Sequence, residues 1–288
     1  MTTAPAEAEA VAGAAPDAVR PSPDAPDAGP AHAPAPLRPV ELPVELPGRA
    51  RVWAIPVPDN AGAARARLHE LEREERARAA RLRRPDDAAR FLVAHVGLRE
   101  LLARRLGTDP GRLVVEREPC AGCGRPHGRP HLPGDPVHFS LSHSGDLVLV
   151  ALAPVPVGVD VEAVRPPAPA AHPAGALHRA EQAELLALPH RERAAAFARC
   201  WTRKEAVLKS TGRGLLDGAA FPYVGTGSDP VQPHGHHVRD LPVAEGFAAA
   251  LALHPGPVPS AAPRSVRSPG ASPKSPPREP SPTEGVHP

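Results

Sequence analysis

The sequence predicts an α+β fold, in which long helices alternate along the chain with short antiparallel strands. Apolar residues recur at the spacing of one helix face across residues 86–106. Strict alternation over residues 138–144 is followed, after a Gly-Asp pair, by the apolar run 147–152, and this pattern predicts a hairpin. Residues 156–162 alternate in the same way, so a further strand is expected there.

In the first half, Pro85 ends a highly charged helix, and the two aspartates after it can cap the next one. The expected elements are a strand at 50–57, a charged helix at 61–84, a helix from about residue 86 to Leu106, a strand at 112–117 and a loop at 118–136.

The second half repeats this plan loosely, without a residue-by-residue repeat. The expected elements are a strand at 156–162, a Pro/Ala-rich surface loop at 165–175, helices at about 179–188 and 191–211, and strands around 219–224 and 246–253.

Composition separates the two ends from this folded region. Residues 1–47 are mostly Ala, Pro and acidic residues, and residues 255–288 are rich in Pro and Ser. Neither end has enough apolar content to offset the entropy lost on ordering, so both are predicted to be disordered. The three cysteines, the absence of a secretory signal and the lack of a membrane-spanning apolar run indicate a cytoplasmic protein.

The whole chain has a formal net charge of +2, but the folded region at 48–254 carries +5, which suits polyanionic ligands and acidic protein partners without requiring them. The charged stretch 65–84 interleaves Glu with Arg and lacks aromatic residues for stacking on bases. It therefore predicts a solvated helix and no binding to nucleic acid.

Two acidic motifs indicate metal chemistry. On the strand at 156–162, Asp160 and Glu162 share one face while valines occupy the other. On the following long helix, Glu205 and Lys209 are four residues apart and share a face. If the strand packs on the helix, three carboxylates and an ammonium converge, and such oxygen ligands suit Mg²⁺ beside a phosphate ester.

A third motif, Ser-His-Ser at 142–144, precedes Gly-Val-Asp-Val-Glu at 158–162 and Trp-Thr-Arg-Lys-Glu-Ala at 201–206. This ordered set resembles the 4'-phosphopantetheinyl transferases of the surfactin-synthetase (Sfp) type, over residues 48 to 254. The resemblance implies a pseudo-dimer of two similar α+β lobes, at 48–154 and 155–254, with the active site between them and coenzyme A bound there.

The resemblance also implies the reaction and the roles of individual residues. The enzyme would transfer 4'-phosphopantetheine from coenzyme A to a serine of an apo acyl or peptidyl carrier protein, and it would release adenosine 3',5'-bisphosphate. Such carrier proteins serve polyketide and nonribosomal peptide biosynthesis. The implied metal ligands are Asp160, Glu162 and Glu205, the catalytic residues are Glu205 and Lys209, and the residues that bind coenzyme A are Arg90, Arg129, Ser142, His143 and Lys204.

Two other functions remain open at this stage. One is a Mg²⁺-dependent hydrolase of pyrophosphates related to coenzyme A, and the other is a non-catalytic relative that binds carrier proteins. The protein is expected to be a monomer that binds neither nucleic acid nor membrane. The sequence does not decide between Mg²⁺ and Mn²⁺, nor which group is the general base.

A cysteine-rich loop also offers metal ligands. Cys120, Cys123, His127 and His131 have suitable side chains, but the whole set fits within 12 residues, tighter than the spacing of a zinc finger. A reduced loop near the nucleotide is favoured over a structural zinc knuckle, and zinc binding stays an open alternative.

Overall fold

The described part of the chain is built in four layers, in the order helix, sheet, sheet, helix. The computed structural model describes residues 35–120, 122–164, 177–212 and 222–254. The expected loop at 165–175 and the tail after residue 254 lie outside these ranges. The predicted α+β fold class is confirmed.

In the part of the chain that the structure describes, the first sheet has four antiparallel strands in the order β1-β2-β6-β5. Their bounds are β1 Val40–Glu41, β2 Arg51–Pro56, β5 His138–Ser144 and β6 Leu147–Ala153. The expected hairpin is formed by β5 and β6, and Gly145 takes a φ of +53° in the turn between them.

Within the described ranges, the second sheet has three antiparallel strands in the order β7-β9-β8. Their bounds are β7 Val157–Ala163, β8 His237–Asp240 and β9 Phe247–Leu253. The expectation of a strand around 219–224 is wrong for Pro222–Val224, which are not part of a strand. Residues 219–221 lie outside the described residues. The backbone N–H of Val224 donates to the side chain of Glu181, which is distant in sequence, so this N–H is not available for a strand ladder.

Five α-helices surround the sheets in the described residues: α1 Val57–Ala66, α2 Arg73–Arg81, α3 Pro85–Leu106, α4 Arg179–Ala187 and α5 His190–Thr211. The single charged helix expected at 61–84 is instead two helices with a 3₁₀ turn between them. The chain extends at Leu71 and buries that side chain, and Glu72 then caps α2. The strand expected at 112–117 is reduced to β3, Glu116–Arg117, which pairs with β4, Pro130–His131.

Strand β6 holds the layers together because it is buried on both faces. Val148, Val150 and Leu152 belong to the core shared with α3. Leu149 and Ala151 belong to a second core, which lies between the two sheets. The opposite face of the second sheet packs against α5, so β7 lies between the first sheet and that helix.

The N-terminal boundary differs from the expectation of disorder up to residue 47. Leu37 is 3% exposed and belongs to the core beside α3. Val40 and Glu41 pair with β2, and the backbone N–H of Arg38 donates to Asn60. Residues 35–47 are ordered because β2 provides them with a strand edge, so the predicted boundary lies too far along the chain.

The division into lobes at residues 154 and 155 stays a prediction. All described residues fall within one compact unit that begins at Ala35. Among them, no helix is both long and apolar enough to cross a membrane.

Candidate active site

The two sheets meet at a seam between their edge strands, β5 and β7. Each hydrogen-bonded residue of β5 is 19 positions before its partner in β7, and because this separation stays constant along the strands, they run parallel. The backbone N–H groups of β7 donate to serine hydroxyls of β5 in three pairs: Val159 to Ser140 at 3.0 Å, Val161 to Ser142 at 3.3 Å and Ala163 to Ser144 at 3.0 Å. Side-chain oxygens therefore take the place of the carbonyl acceptors of an ordinary ladder.

Two of these serines also orient the acidic residues of β7. Ser142 Oγ donates to Asp160 Oδ1 at 2.7 Å, and Ser144 Oγ donates to Glu162 Oε2 at 3.0 Å. Each hydroxyl accepts from the backbone and donates to a carboxylate at the same time. The seam thus fixes where both carboxylates lie.

Helix α5 approaches the acidic face of β7 at Gly158. A Cβ on Gly158 would lie 1.9 Å from the carbonyl oxygen of Ala206 and 2.7 Å from the backbone nitrogen of Ser210. Only glycine allows backbone to approach backbone this closely. The contact brings Glu205 and Lys209 to the side of β7 that carries the acids.

The charges of strand and helix meet at Asp160. Lys209 Nζ donates to Asp160 Oδ1 at 2.6 Å and to the carbonyl of Val159 at 3.1 Å. Burial raises the pKa of Glu205, and the negative charges of Asp160 and Glu162 raise it further, while Lys209 opposes them. Asp160, Glu162 and Lys209 therefore lie near enough to Glu205 for their charges to influence it.

The donor set fits a divalent cation. Asp160 Oδ2 is buried and has no hydrogen-bond partner, an arrangement that carries a free-energy cost unless a cation or another donor is supplied. Asp160, Glu162 and Glu205 do not form a closed cage: in the described ranges, only a cysteine-histidine group elsewhere has its ligand atoms all within 4.8 Å of one another. An open set of carboxylate oxygens suits Mg²⁺, which keeps several waters.

Three of the five candidate coenzyme A ligands line two cavities that border this site. A cavity of about 460 Å³ is lined by Arg90, His143, Glu162 and Trp201, among others. Arg90 Nε donates to the carbonyl of Gly145 at 2.7 Å, which holds the guanidinium against the β5–β6 turn. Arg90 and His143 are thus brought together beside one of the acids.

His143 is exposed, yet its protein surroundings lower the pKa of its imidazole. The cause is mainly desolvation, and the nearby charges of Arg90, His95 and Lys209 add to it. An anion bound here would offset the part of this shift that comes from the positive charges of Arg90 and Lys209.

A larger cleft of about 830 Å³ is lined by Arg129 and Lys209, among others. Arg129 donates to Glu118 at 2.6 Å and to the carbonyl of Ser210 at 3.1 Å. It therefore ties the loop before β4 to the last turn of α5. Arg129 and Lys209 lie on this cleft, whereas Arg90 and His143 lie on the smaller cavity.

Lys204 is the one candidate ligand that the structure removes from the site. Its side chain is fully buried, and its ammonium lies 2.8 Å from Glu181 and donates to the carbonyl of Pro222. One residue of helix corresponds to about 100° of rotation, so Lys204 points away from the face that Glu205 occupies. The expectation that Lys204 binds coenzyme A is wrong.

Ser142 is also placed differently from the expectation. It is 8% exposed, and its hydroxyl is engaged by Asp160 and Val161. Ser140 and Ser144 were not among the predicted site residues, although serine at every second position of β5 is a signal for a polar seam.

Comparison with known proteins identifies the family. Residues 156–238 match the family model of the 4'-phosphopantetheinyl transferase superfamily. The chain is 35% identical over 145 residues to the 4'-phosphopantetheinyl transferase psf-1 of Bacillus pumilus, a match that covers 50% of this chain and 59% of that protein. It is 31% identical over 172 residues to HetI of Nostoc sp., which covers 59% of this chain and 71% of HetI.

A third relative is the Sfp transferase of Bacillus subtilis, 27% identical over 191 residues, or 63% of this chain and 82% of Sfp. The chain belongs to the 4'-phosphopantetheinyl transferase superfamily, and it is of the Sfp type.

Proposed function

We propose that this protein transfers the 4'-phosphopantetheine group of coenzyme A to a serine hydroxyl of an apo acyl or peptidyl carrier protein. The serine oxygen attacks the β-phosphorus, the bond to the bridging pyrophosphate oxygen breaks, and adenosine 3',5'-bisphosphate leaves. The observation that carries the proposal is the meeting of Asp160, Glu162, Glu205 and Lys209 where β7 packs on α5. Transfer from a pyrophosphate depends mainly on charge neutralisation and positioning, which this group can supply.

Asp160, Glu162 and Glu205 would hold Mg²⁺. When bound, the metal would supply positive charge that polarises the pyrophosphate and offsets the charge developing on its oxygens. The buried, unpartnered oxygen of Asp160 supports this assignment.

Two residues of α5 would handle protons. Glu205 would accept the proton of the serine hydroxyl, directly or through a metal-bound water, because it is a carboxylate beside Asp160 and Glu162. Lys209 carries its ammonium beside Asp160, where it would stabilise the departing phosphate and donate a proton to it.

The remaining contacts would bind the nucleotide end of coenzyme A. Arg90 and His143 share the smaller cavity with Glu162, and an anionic phosphate there would relieve the positive surroundings of His143. Arg129 lines the larger cleft together with Lys209. The free thiols of Cys120, Cys123 and Cys200 support a reducing cytoplasm as the place of action.

The test is the intact mass of an apo carrier protein incubated with the enzyme, Mg²⁺ and coenzyme A. We expect a gain equal to one phosphopantetheine group, lost in excess EDTA. Asp160→Asn keeps the shape of the side chain but removes its charge, and it should abolish the gain. Asp229→Asn, at an exposed aspartate, is the matched control and should leave it unchanged.

Measuring coenzyme A consumption in the absence of carrier protein tests the alternative function, a hydrolase. Cleavage at the same rate with and without the acceptor would identify a hydrolase and refute the transfer. Full activity of Asp160→Asn at saturating coenzyme A would refute the metal assignment.

A further inference from the structure

A second cluster of metal-ligand side chains lies outside the carboxylate site, on the loop between β3 and β4. The Sγ atoms of Cys120 and Cys123 and a ring nitrogen of His127 all lie within 4.8 Å of one another. Cys123 Sγ is 2.9 Å from His127 Nε2. The spacing Cys-x₂-Cys-x₃-His brings three soft or borderline ligands together without any contribution from another element.

The backbone of the loop is already arranged around these side chains. Cys120 donates its N–H to the carbonyl of Arg125 and accepts the N–H of Gly124, both at 2.8 Å. Gly124 takes a φ of +73°, which glycine adopts without strain and which turns the chain directly after Cys123. The N–H of His127 also donates to the carbonyl of Arg125 at 2.8 Å. This tight turn fixes the ligands relative to one another.

The described residues of this loop have no hydrophobic support of their own. Of its described residues, 118–120 and 122–129, none belongs to any of the three apolar cores. Cys123 and His127 are exposed, although free cysteine is among the most often buried residue types. A short segment without a core commonly depends on a metal or a disulfide for its order.

We propose that Cys120, Cys123 and His127 bind one Zn²⁺ ion, with the fourth coordination position open to water. Thiolate and imidazole ligands select zinc over magnesium, so this site and the carboxylate site take different metals. On binding, the two thiols release their protons to solvent and bind as thiolates, while His127 binds as the neutral imidazole.

The bound metal holds the hairpin that carries Arg129 to the larger cleft. Cys120 and His127 themselves line that cleft. Glu118 donates its N–H to the carbonyl of Arg129 at 3.0 Å, and Gly128 donates to the carbonyl of Glu118 at 2.8 Å. A Cβ on Gly128 would lie only 2.6 Å from that carbonyl oxygen. A metal bound at the cysteines would therefore also restrict the motion of Arg129 and Glu118, which form an ion pair on the same hairpin.

His131, the fourth residue that the sequence offered, lies outside the cluster. Its ring nitrogens are 3.5 Å from Asp135 and 3.9 Å from Glu116. This gives the proposal a matched pair of histidines on the same hairpin, one inside the site and one outside it.

The experiment uses the full chain, reduced, freed of metal and carrying no affinity tag, titrated with Co²⁺ as a spectroscopic substitute for Zn²⁺. We expect sulfur-to-cobalt charge-transfer absorption and the intense d–d bands of a tetrahedral site, saturating at one ion per chain. Added Zn²⁺ should displace Co²⁺ and remove both features. Cys123→Ser and His127→Gln should lose the bands, whereas His131→Gln and the buried-thiol variant Cys200→Ser should keep them.

Hydrogen exchange provides a second measurement. Amide exchange over residues 118–130 should slow when Zn²⁺ is added to the wild type and should stay unchanged in Cys123→Ser. Absence of the charge-transfer band, its retention in Cys123→Ser, or its loss in His131→Gln would each overturn the three-ligand site. So would a disulfide between Cys120 and Cys123 that persists under reductant with Zn²⁺ present. None of these outcomes depends on transferase activity, so they test the site separately from the proposed reaction.

Discussion

Replacing Ser142 by alanine tests whether the seam between the sheets also controls the metal site. In the wild type, Ser142 Oγ accepts the N–H of Val161 at 3.3 Å and donates to Asp160 at 2.7 Å. Ser140→Ala is the matched control, because Ser140 accepts the N–H of Val159 at 3.0 Å on the same strand. Both variants remove a seam acceptor, but only Ser142→Ala removes the donor to Asp160.

The expected magnitudes follow from these contacts. A buried backbone N–H without an acceptor costs about 1–3 kcal/mol, so both variants should lose roughly that much free energy of unfolding. Ser142→Ala also loses a hydrogen bond to a charged group, of about 1.5–3 kcal/mol, so it should be the less stable of the two. Loss of a partner that orients a metal ligand typically weakens metal affinity or activity about 10–100-fold.

The assay is transferase activity as a function of Mg²⁺ concentration, together with the KM for coenzyme A and denaturant unfolding of each variant. We expect the half-saturating Mg²⁺ concentration to rise in Ser142→Ala and to stay near the wild-type value in Ser140→Ala. An unchanged Mg²⁺ requirement in Ser142→Ala, with a raised KM for coenzyme A, would refute this reasoning. It would restore the direct contact with the nucleotide that the family resemblance implied.

Three further predictions follow from particular contacts. Gly158→Ala should separate α5 from β7 and abolish activity, because its Cβ would lie 1.9 Å from a carbonyl oxygen. The control is Gly62→Ala in α1, where nothing lies near the added Cβ. This variant should stabilise the protein by about 0.5–1 kcal/mol, measured by thermal unfolding. If Arg90 binds the 3'-phosphate of coenzyme A, Arg90→Ala should weaken binding of coenzyme A by roughly one to two decades, the equivalent of about 1.5–3 kcal/mol. The same variant should have little effect on binding of 3'-dephospho-coenzyme A. Equal losses of affinity for both ligands in calorimetry would reject this contact. A protein without residues 1–47 should be less stable than one without residues 1–34 by about 1.5–3 kcal/mol, because it also loses the buried Leu37 and strand β1. Equal denaturant midpoints for the two shortened proteins would contradict this.

Local periodicity predicted the elements of the site well. The alternation of β7 indicated that valines and carboxylates lie on opposite faces, and Val159 and Val161 are indeed in the core between the sheets. The four-residue spacing of Glu205 and Lys209 likewise placed both on the face of α5 that meets Asp160. These features depend only on the geometry of a single strand or helix.

Features that depend on tertiary partners could not be predicted in this way. Lys204 matched a motif, but Glu181 on another helix buries and neutralises it. Residues 35–47 lack a periodic pattern of apolar residues, and they are held in place because Val40 and Glu41 pair with the edge of β2. The serine acceptors of β5 likewise require knowledge that this strand lies beside β7, which no local pattern contains.

The use of serine at the seam has a physical reason. Two edge strands could pair through their carbonyl groups, but a carbonyl only accepts hydrogen bonds and leaves a neighbouring carboxylate without a donor. A hydroxyl accepts from the N–H of one strand and donates to the carboxylate beside it, as Ser142 does for Val161 and Asp160. The same atoms therefore close an exposed sheet edge and hold the acids in place. Because the donors lie within the seam, the acids are oriented before any metal binds, and the cost of ordering them is met when the protein folds.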